Sequence, residues 1–391
     1  MTGLAPLRIG IMLRSLDERG GIGVYTRYLT EALLQIDRRN RYVLFYRDAA
    51  NLGRYAAHPH VTERVVRGWG KLGWDQVGIP LACRREGIDV IFHPKFTVPF
   101  AAPCPAVMTV HGADWFIPAH AKFYGRLDVA YIRLVMPWYF RRAAAVLSVS
   151  QLTTDDFNRI LGLEPGKVVT TYLAPGPAFR RVHDTEVLDR VRTRYELREP
   201  FILTLSKVDG GERKNMAGIL AAFRRLHGSI PHRLVIGGRD CDRFRSMYGI
   251  PETGWGASIS FPGWINQEDL PAVYSLADLY LYPSNLEAFP IPVTEAMACG
   301  VPVVTSRTNG LREIAAEGAV LVDPDDPTDI ARGVLDVLGN PERQARVAAA
   351  GLEHVRQYSW EKCAGETLAV LERAGRGTRD ARTVPILQTG R

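Results

Sequence analysis

Short apolar runs recur along the chain, each closed by Gly, Pro, Asp or Asn, and between them lie stretches with apolar residues at helical spacing. In the first half the runs predict strands near Leu7–Leu13, Tyr42–Tyr46, Val61–Val66, Val90–Phe92, Ala106–Val110 and Ala145–Val149. Helices are expected over Val24–Ile36, Val77–Arg85 and Leu127–Arg142. A second series of strands begins at Phe201 (FILTLS) and continues through Arg233–Gly238, Ser258–Phe261, Leu279–Tyr282, Val301–Val304 and Ala319–Val322. Its helices are expected at Met216–His227, Ile330–Leu338, Glu342–Tyr358 and Trp360–Arg373. Strands that alternate with helices build parallel sheets through right-handed crossovers. Between the two series, residues 173–200 supply a Pro/Gly turn, a charged helix and a closing Pro, which suits a linker. The expectation is an α/β chain of two Rossmann-like domains, 1–172 and 201–358, with parallel sheets facing a central cleft. A helix over 359–374 and a loosely ordered tail over 375–391 would follow.

Composition narrows the class. A chain of 391 residues is long enough for two cores, and 46% hydrophobic with 23% charged residues is ordinary for a globular protein. No apolar run approaches the ~18 residues that a membrane-spanning helix needs, and the N-terminus is charged too early for a secretory leader. Five scattered cysteines without a C-x-x-C pair read as reduced packing residues of a cytoplasmic protein, with no metal site in their spacing. The net charge of +7 is uneven: residues 1–180 hold 23 Lys/Arg against 14 Asp/Glu, the remainder 26 against 28. A basic first half suits an anionic acceptor, an anionic lipid leaflet or nucleic acid, and solvated basic helix faces account for it equally well. Within it, Arg126–Arg142 is a basic helix rich in Trp and Tyr, of a kind that can lie on a membrane. Pro137 and the reach of arginine side chains favour an ordinary packed helix instead.

Open parallel sheets bind ligands where their strands end, so the chemistry is sought in those loops. After Leu13 come Gly20, Gly21 and Gly23 before a helix, a turn that lets backbone approach a phosphate or sugar. After Val110 comes His111, whose neutral ring can bond a hydroxyl or cap the domain edge. After Leu205 comes SKVDGGERKN, a glycine turn with basic residues entering a helix, suited to neutralising a diphosphate. The stretch Asp278–Thr305, DLYLYPSNLEAFPIPVTEAMACGVPVVT, combines a strand, a loop with Glu287 and a helix with Glu295. A helix N-terminus attracts phosphate, and carboxylates accept sugar hydroxyls. Together they describe a nucleotide-sugar site.

Glu287 and Glu295, seven residues apart and followed by EAMACGVPVV, resemble the E-x7-E signature of retaining glycosyltransferases of the GT4 group, which have the GT-B fold. The resemblance covers nearly the whole chain and is strongest from Phe261 to Pro327. It implies a hexosyltransferase using a GDP-, UDP- or ADP-sugar without a metal, with a glycan or lipid-linked acceptor held by the first domain, in surface polysaccharide biosynthesis. Carried over residue by residue, it gives Gly20 and Gly21 the donor diphosphate and His111 a hydroxyl contact. Lys207 and Lys214 take the leaving diphosphate, and the backbone near Gly263, Trp264 and Ile265 the nucleobase, with the Trp264 ring free to stack on it or to pack under the sheet. Glu287 takes the donor-sugar hydroxyls, Glu295 the ribose, and the Phe289 and Ile291 amides line the donor. The last helix would cross back to the first domain near Trp360. Three departures stand out: Gly112 where family members keep Asp, Lys207 where they keep Arg, and Pro290, which has no N–H, where they keep Gly. An epimerase of the same fold, or a non-catalytic subunit of a membrane assembly with contact through the basic domain, are the alternatives. A nicotinamide enzyme is disfavoured by the missing G-x-G-x-x-G, and no nucleic-acid partner is expected.

Overall fold

The computed structural model of the chain describes residues 5–18, 20–208 and 212–383. Asp209, Gly210 and Gly211 of the third loop, and residues 384–391 of the expected tail, lie outside the described residues. The chain divides into two compact units, one comprising the residues through Leu173 with those from Trp360 onward, the other Ala174–Ser359.

The first unit is built on a seven-stranded parallel sheet. Its strands are β1 (Arg8–Met12), β2 (Arg41–Tyr46), β3 (Val61–Val65), β4 (Val90–His93), β5 (Ala106–Val110), β6 (Ala145–Ser148) and β7 (Val168–Thr170), in the spatial order β3-β2-β1-β4-β5-β6-β7. The second unit repeats the plan with six: β8 (Phe201–Leu205), β9 (Arg233–Gly237), β10 (Ile259–Gly263), β11 (Leu279–Tyr282), β12 (Val303–Ser306) and β13 (Val320–Val322), ordered β10-β9-β8-β11-β12-β13. Both are doubly wound, and chain order reverses between β1 and β4 and again between β8 and β11. Loops at these switch points splay apart and leave room for a ligand.

The strands are the apolar runs because helices cover both sheet faces and no side of a central strand can be polar. Met12, Phe45, Ile91, Met108 and Val146 enter one core beneath Phe140 and Phe157. Ile202, Leu234, Leu279 and Val304 enter the other beneath Phe223 and Val334. All five cysteines are buried thiols.

Three elements differ from the sequence reading. β7 is three residues long, so its apolar pair Val168–Val169 is too brief a run to stand out. Residues 174–200 group with the second sheet: the helix Thr185–Arg194 packs on the helix Leu270–Leu276, and the Tyr195 hydroxyl donates to Asp269 at 2.8 Å. The last helix runs from Trp360 to Thr383, past the expected stop at 374, and groups with the first sheet. Gly375 and Gly377 suggest a stop, but Gly375 lies close to Leu7, where a β-carbon would come within 3.0 Å of its side chain. Tertiary contact here overrides the low helix propensity of glycine.

One glycine ties the second sheet to its switch-point loop. Gly238, at φ +139, follows β9, and its amide donates to the Gly263 carbonyl at 2.8 Å. A β-carbon there would sit 1.6 Å from the Ser206 carbonyl oxygen at the end of β8. Gly238→Ala is expected to cost about 2 kcal/mol or more through backbone strain and displacement of Ser206. A melting temperature within a degree or so of the parent would contradict this.

Candidate functional site

The loop after β11 carries a buried charge cluster. The Tyr282 hydroxyl, at the strand's last residue, donates to Glu287 Oε1 at 2.6 Å, and Arg213 Nη1 stands 3.0 Å from the same oxygen. Lys214 Nζ is 3.7 Å from it, also donates to the Tyr282 hydroxyl, and lies 4.5 Å from the centre of that ring. Burial opposes ionisation of Glu287, but Arg213, Lys214 and the Tyr282 bond outweigh it and hold the carboxyl below its usual range. Burial is also the largest influence on Lys214, taking its ammonium from 10.5 down to about 8 although Glu287 pulls the other way. Lys207 is exposed and contributes repulsion to Lys214, so it stands in the same neighbourhood.

The loop that holds Glu287 is fixed from several sides. Asn215, in the left-handed region at φ +56, caps the helix Met216–Leu226 by accepting from the Gly218 amide at 3.1 Å. Its own amide donates to the Pro283 and Pro324 carbonyls at 3.1 and 2.6 Å. Ser284 and Asn285 bond the Arg213 carbonyl, and Ser306 bonds the Ser284 carbonyl. The Gly310 amide donates to the Glu287 carbonyl at 3.0 Å, and only a glycine fits there, because a β-carbon would lie 2.2 Å from the Ala288 carbonyl oxygen. Rigid attachment of this kind holds a ligating carboxylate in place before any ligand arrives.

Glu295 is different. It lies in the helix Ile291–Ala298, is 5% exposed, and none of the described residues donates a hydrogen bond to its carboxylate. Burial alone raises its pKa from 4.5 to about 8. A buried carboxyl without donors is costly, and two vicinal hydroxyls would supply what it lacks.

The remaining second-unit candidates separate into three kinds. Gly263, at φ +77, ends β10 with open space where a side chain would be, and Trp264 is exposed with the Arg239 guanidinium 5.9 Å from its ring centre. Ile265 is instead a core residue packed toward Gly237, so its side chain is not available to a base. The Phe289 ring meets Tyr358 edge-on at 5.6 Å, which leaves its amide as the polar group to consider. The Ile291 amide is already used: with Pro290 capping the helix at φ −83, ψ 79, it donates to the Phe289 carbonyl at 3.1 Å. That removes Ile291 as an amide donor to a ligand.

In the first unit, the turn after β1 places Gly20 at φ +115 as the cap of the helix Gly21–Ile36, with open space where its side chain would be, and Gly21 beside it is exposed. A β-carbon on Gly23 would sit 1.8 Å from the Glu18 carbonyl oxygen, so the third glycine is a packing requirement. The turn is tethered by Lys95 Nζ, which bonds both Glu18 oxygens at 2.6 and 2.8 Å, and by the buried pair of Arg14 with Asp75 at 3.1 Å. His111 opens the loop after β5. Its Nε2 faces the Pro94 carbonyl at 2.9 Å and must be the protonated nitrogen, which leaves Nδ1 to accept. Burial pushes its pKa down to about 4, so the ring is neutral at pH 7. Tyr25 packs edge-on against it at 4.9 Å and rests in turn near Trp360, 6.2 Å away. Gly112, at φ +140, stands where a β-carbon would come 3.2 Å from Asp114 Oδ2, so the space beside this glycine holds a carboxylate from two residues farther on.

Sequence reasoning misses Arg213 and Asp114. For Arg213 the available signal is its place in Arg213-Lys214-Asn215 at the helix entry, next to the cap that ties this helix to the Glu287 loop.

The buried carboxyl of Glu295 makes stability depend on pH. Its folded pKa of about 8 exceeds the ordinary 4.5, so the folded chain binds the proton more tightly, and stability falls as pH rises from about 4.5 to about 8. Glu295→Gln removes this dependence. The variant is expected to exceed the parent in stability by up to a few kcal/mol above pH ~8, and to match it near pH ~4.5. Parallel stability profiles across that range would refute the assignment.

Comparisons with known proteins bear on the family and the fold. The family described as "Glycosyl transferases group 1" matches residues 189–354, and "Glycosyltransferase Family 4" matches residues 19–174. The O-antigen chain mannosyltransferase B of Escherichia coli is 28% identical over 292 residues, which are 73% of this chain and 74% of that protein. The GDP-mannose-dependent alpha-(1-6)-phosphatidylinositol monomannoside mannosyltransferase of Mycolicibacterium smegmatis is 30% identical over 61% of this chain and 64% of its own length. Among solved structures, Anabaena HepE in complex with UDP and glucose superposes with a TM-score of 0.73 over 94% of this chain and all of that one, at 18% identity. The fold is the GT-B fold, and since the two family matches together take in both units and the Glu287 and Glu295 loops, the chain belongs to the group 1 glycosyltransferases of family 4.

Proposed function

We propose that the chain moves a hexose of the mannose or glucose type from a nucleoside diphosphate sugar to a hydroxyl of a glycan or lipid-linked acceptor, with retention at the anomeric carbon and without a metal. The observation that carries the reading is the contrast between the two carboxyls after β11: Glu287 held ionised by Arg213, Lys214 and Tyr282, and Glu295 buried with no donor among the described residues. Glu287 would take the donor-sugar hydroxyls, and Glu295 the ribose. Arg213 and Lys207 both add positive charge beside Lys214, and Glu287 is the carboxylate that meets them. A leaving diphosphate supplies the matching negative charge, and its arrival would raise the ammonium of Lys214 again.

In the proposed step the bond from the anomeric carbon to the diphosphate oxygen breaks, and the acceptor oxygen bonds to the same face. The acceptor proton passes to the departing diphosphate oxygen, so no carboxylate acts as a nucleophile. His111, neutral with Nδ1 free to accept, would orient a hydroxyl in the first unit, where Gly20 and Gly21 leave room for close approach. Trp264 is the group offered to a base, by stacking. The relatives that act on mannose in O-antigen and in phosphatidylinositol mannoside favour GDP-mannose and a surface-glycan acceptor. UDP and glucose in Anabaena HepE keep a UDP-hexose in the comparison. Five buried thiols fit a cytoplasmic setting.

Calorimetric titration with GDP, UDP and ADP, each with and without EDTA, tests the donor site. One of the three is expected to bind selectively and insensitively to EDTA; binding of none would remove the proposal. Lys214→Ala is expected to lower transfer by a hundredfold or more, the usual cost of one key donor to a leaving group at about 3 kcal/mol, and Glu287→Gln should be comparably impaired, because it changes both the sugar contact and the charge that pairs with Arg213 and Lys214. Conversion of the nucleotide sugar without acceptor would point to an epimerase, and inversion of the product's anomeric signal would exclude retention.

A further inference from the structure

The second unit holds a cavity of about 390 Å³ apart from the Glu287 cluster. It runs along residues 260–262 of β10, the edge strand of the second sheet. The strands β8 and β9 lie between β10 and β11, and Glu287 follows β11. A volume of this size is within the roughly 300–1,000 Å³ of small-molecule sites. Three arginines line it: Arg194 and Arg198 from the chain before β8, and Arg233 at the start of β9. Glu196 is the one acid among them.

The turn that brings Arg194 and Arg198 to one cavity is strained. The helix Thr185–Arg194 ends in a double closure, the Glu196 amide donating to the Thr193 carbonyl at 3.3 Å and the Leu197 amide to the Arg192 carbonyl at 2.9 Å. Such a closure needs a left-handed residue, ordinarily glycine, and Glu196 takes that place at φ +50. Strain kept in a residue other than glycine points to a use for the segment. The arginines also keep donors in hand. Arg194 commits Nη1 to Asp269 at 3.1 Å and Arg233 commits Nη2 to the Ala257 carbonyl at 2.8 Å, and each leaves most of its N–H groups free. Arg198 is exposed, none of the described residues bonds its guanidinium, and Glu196 forms no ion pair with any of the three.

Phosphate is the chemistry that answers planar forks gathered on a cavity, since it accepts paired hydrogen bonds and brings the opposite charge. The cavity is also linked to the loop after β10. Tyr195, in its lining, donates through its hydroxyl to Asp269 at 2.8 Å and accepts from the Asn266 amide at 3.1 Å. Asp269 is buried and is the same carboxylate that pairs with Arg194. Asn266 directly follows Gly263, Trp264 and Ile265. An anion that draws Arg194 away therefore takes a partner from the carboxylate that fixes this loop through Tyr195. We propose that the cavity binds the phosphate group of a small ligand, with room for a sugar-sized body beside it, and that occupancy loosens residues 264–269, independently of the sugar-transfer reading.

The test is calorimetric titration of the full chain with glucose 6-phosphate, inorganic phosphate and glucose; no nucleotide is present, so failure of the transfer reading cannot mimic failure here. Both phosphates are expected to bind and glucose is not. Tighter binding of glucose 6-phosphate assigns the site to an organic phosphate, and equal affinity assigns it to phosphate itself. Arg198→Gln should weaken binding roughly tenfold through loss of a charge-assisted bond. Glu196→Gln should instead tighten it severalfold, because it removes the acid from the lining. Both side chains are exposed, so melting temperatures should stay near the parent's; if either variant expresses poorly, Arg233→Gln serves in place of Arg198→Gln. Amide exchange over residues 264–269 should quicken when glucose 6-phosphate saturates the site. Binding of neither phosphate, glucose binding as well as its phosphate, or unchanged affinity in the arginine variants overturns the proposal. So does binding that Lys214→Ala abolishes, since the phosphate would then sit at the Glu287 cluster, and unchanged exchange at saturation overturns the link to the loop.

Discussion

Glu287 is a carboxylate with little solvent, and the second unit is arranged so that it can stay ionised. A buried charge is tolerated only with partners of good geometry, and here Arg213 and Lys214 from the loop after β8 and Tyr282 from the end of β11 converge on one oxygen. That convergence requires the loop after β8 and the loop after β11 to be held against each other. The Asn215 cap, the Ser284 and Asn285 bonds to the Arg213 carbonyl and the close approach of Gly310 do this holding. The charge cluster and the loop scaffold therefore depend on each other: loss of either would leave unpaired polar groups in the other.

The same sheet plan appears twice, and at each reversal of strand order the chain leaves a glycine-bearing loop beside a strand-end side chain. The two loops are furnished for different work. The second has a surplus of cations and a buried acid, the chemistry of a nucleotide. Among the described residues, the first has Lys95 matched to Glu18 and Arg14 to Asp75, and it offers backbone at Gly20 and the neutral ring of His111. Backbone N–H groups at a helix start suit phosphate as well as hydroxyls, so these groups are compatible both with the diphosphate expected at Gly20 and Gly21 and with an acceptor hydroxyl at His111.

Much of the architecture was legible because strands buried on both faces must be apolar throughout, as LYLY in β11 and RIGIM in β1 are. The bounds of β11 fall where Pro283 ends the run. What was not legible depended on contacts remote in sequence. Gly375 reads as a helix stop until its approach to Leu7 is known, and the packing of the Ile265 side chain toward Gly237 shows only in the fold. Basic residues near a glycine turn could be counted, but the fold decides which of them meet Glu287: Arg213 and Lys214 do, and Lys207 is exposed. The packed face of Arg126–Arg142 was hidden for a related reason: aromatic and aliphatic residues occupy nearly the whole circumference, and only the fold shows which of them the core uses.

Pro290 shows how one residue can change a site without altering the fold. Proline at the cap removes one amide outright and bends the chain so that the Ile291 amide turns to the Phe289 carbonyl. Pro292 at the second helical position also lacks an N–H, so the helix start loses three of the donors that make such a terminus attractive to an anion. The cations of the neighbouring loop remain, and so does the Phe289 amide, while the carboxylate of Glu287 keeps its position. The polar character of this end of the second unit therefore shifts from backbone donors toward side-chain charge, carried by Glu287, Arg213 and Lys214.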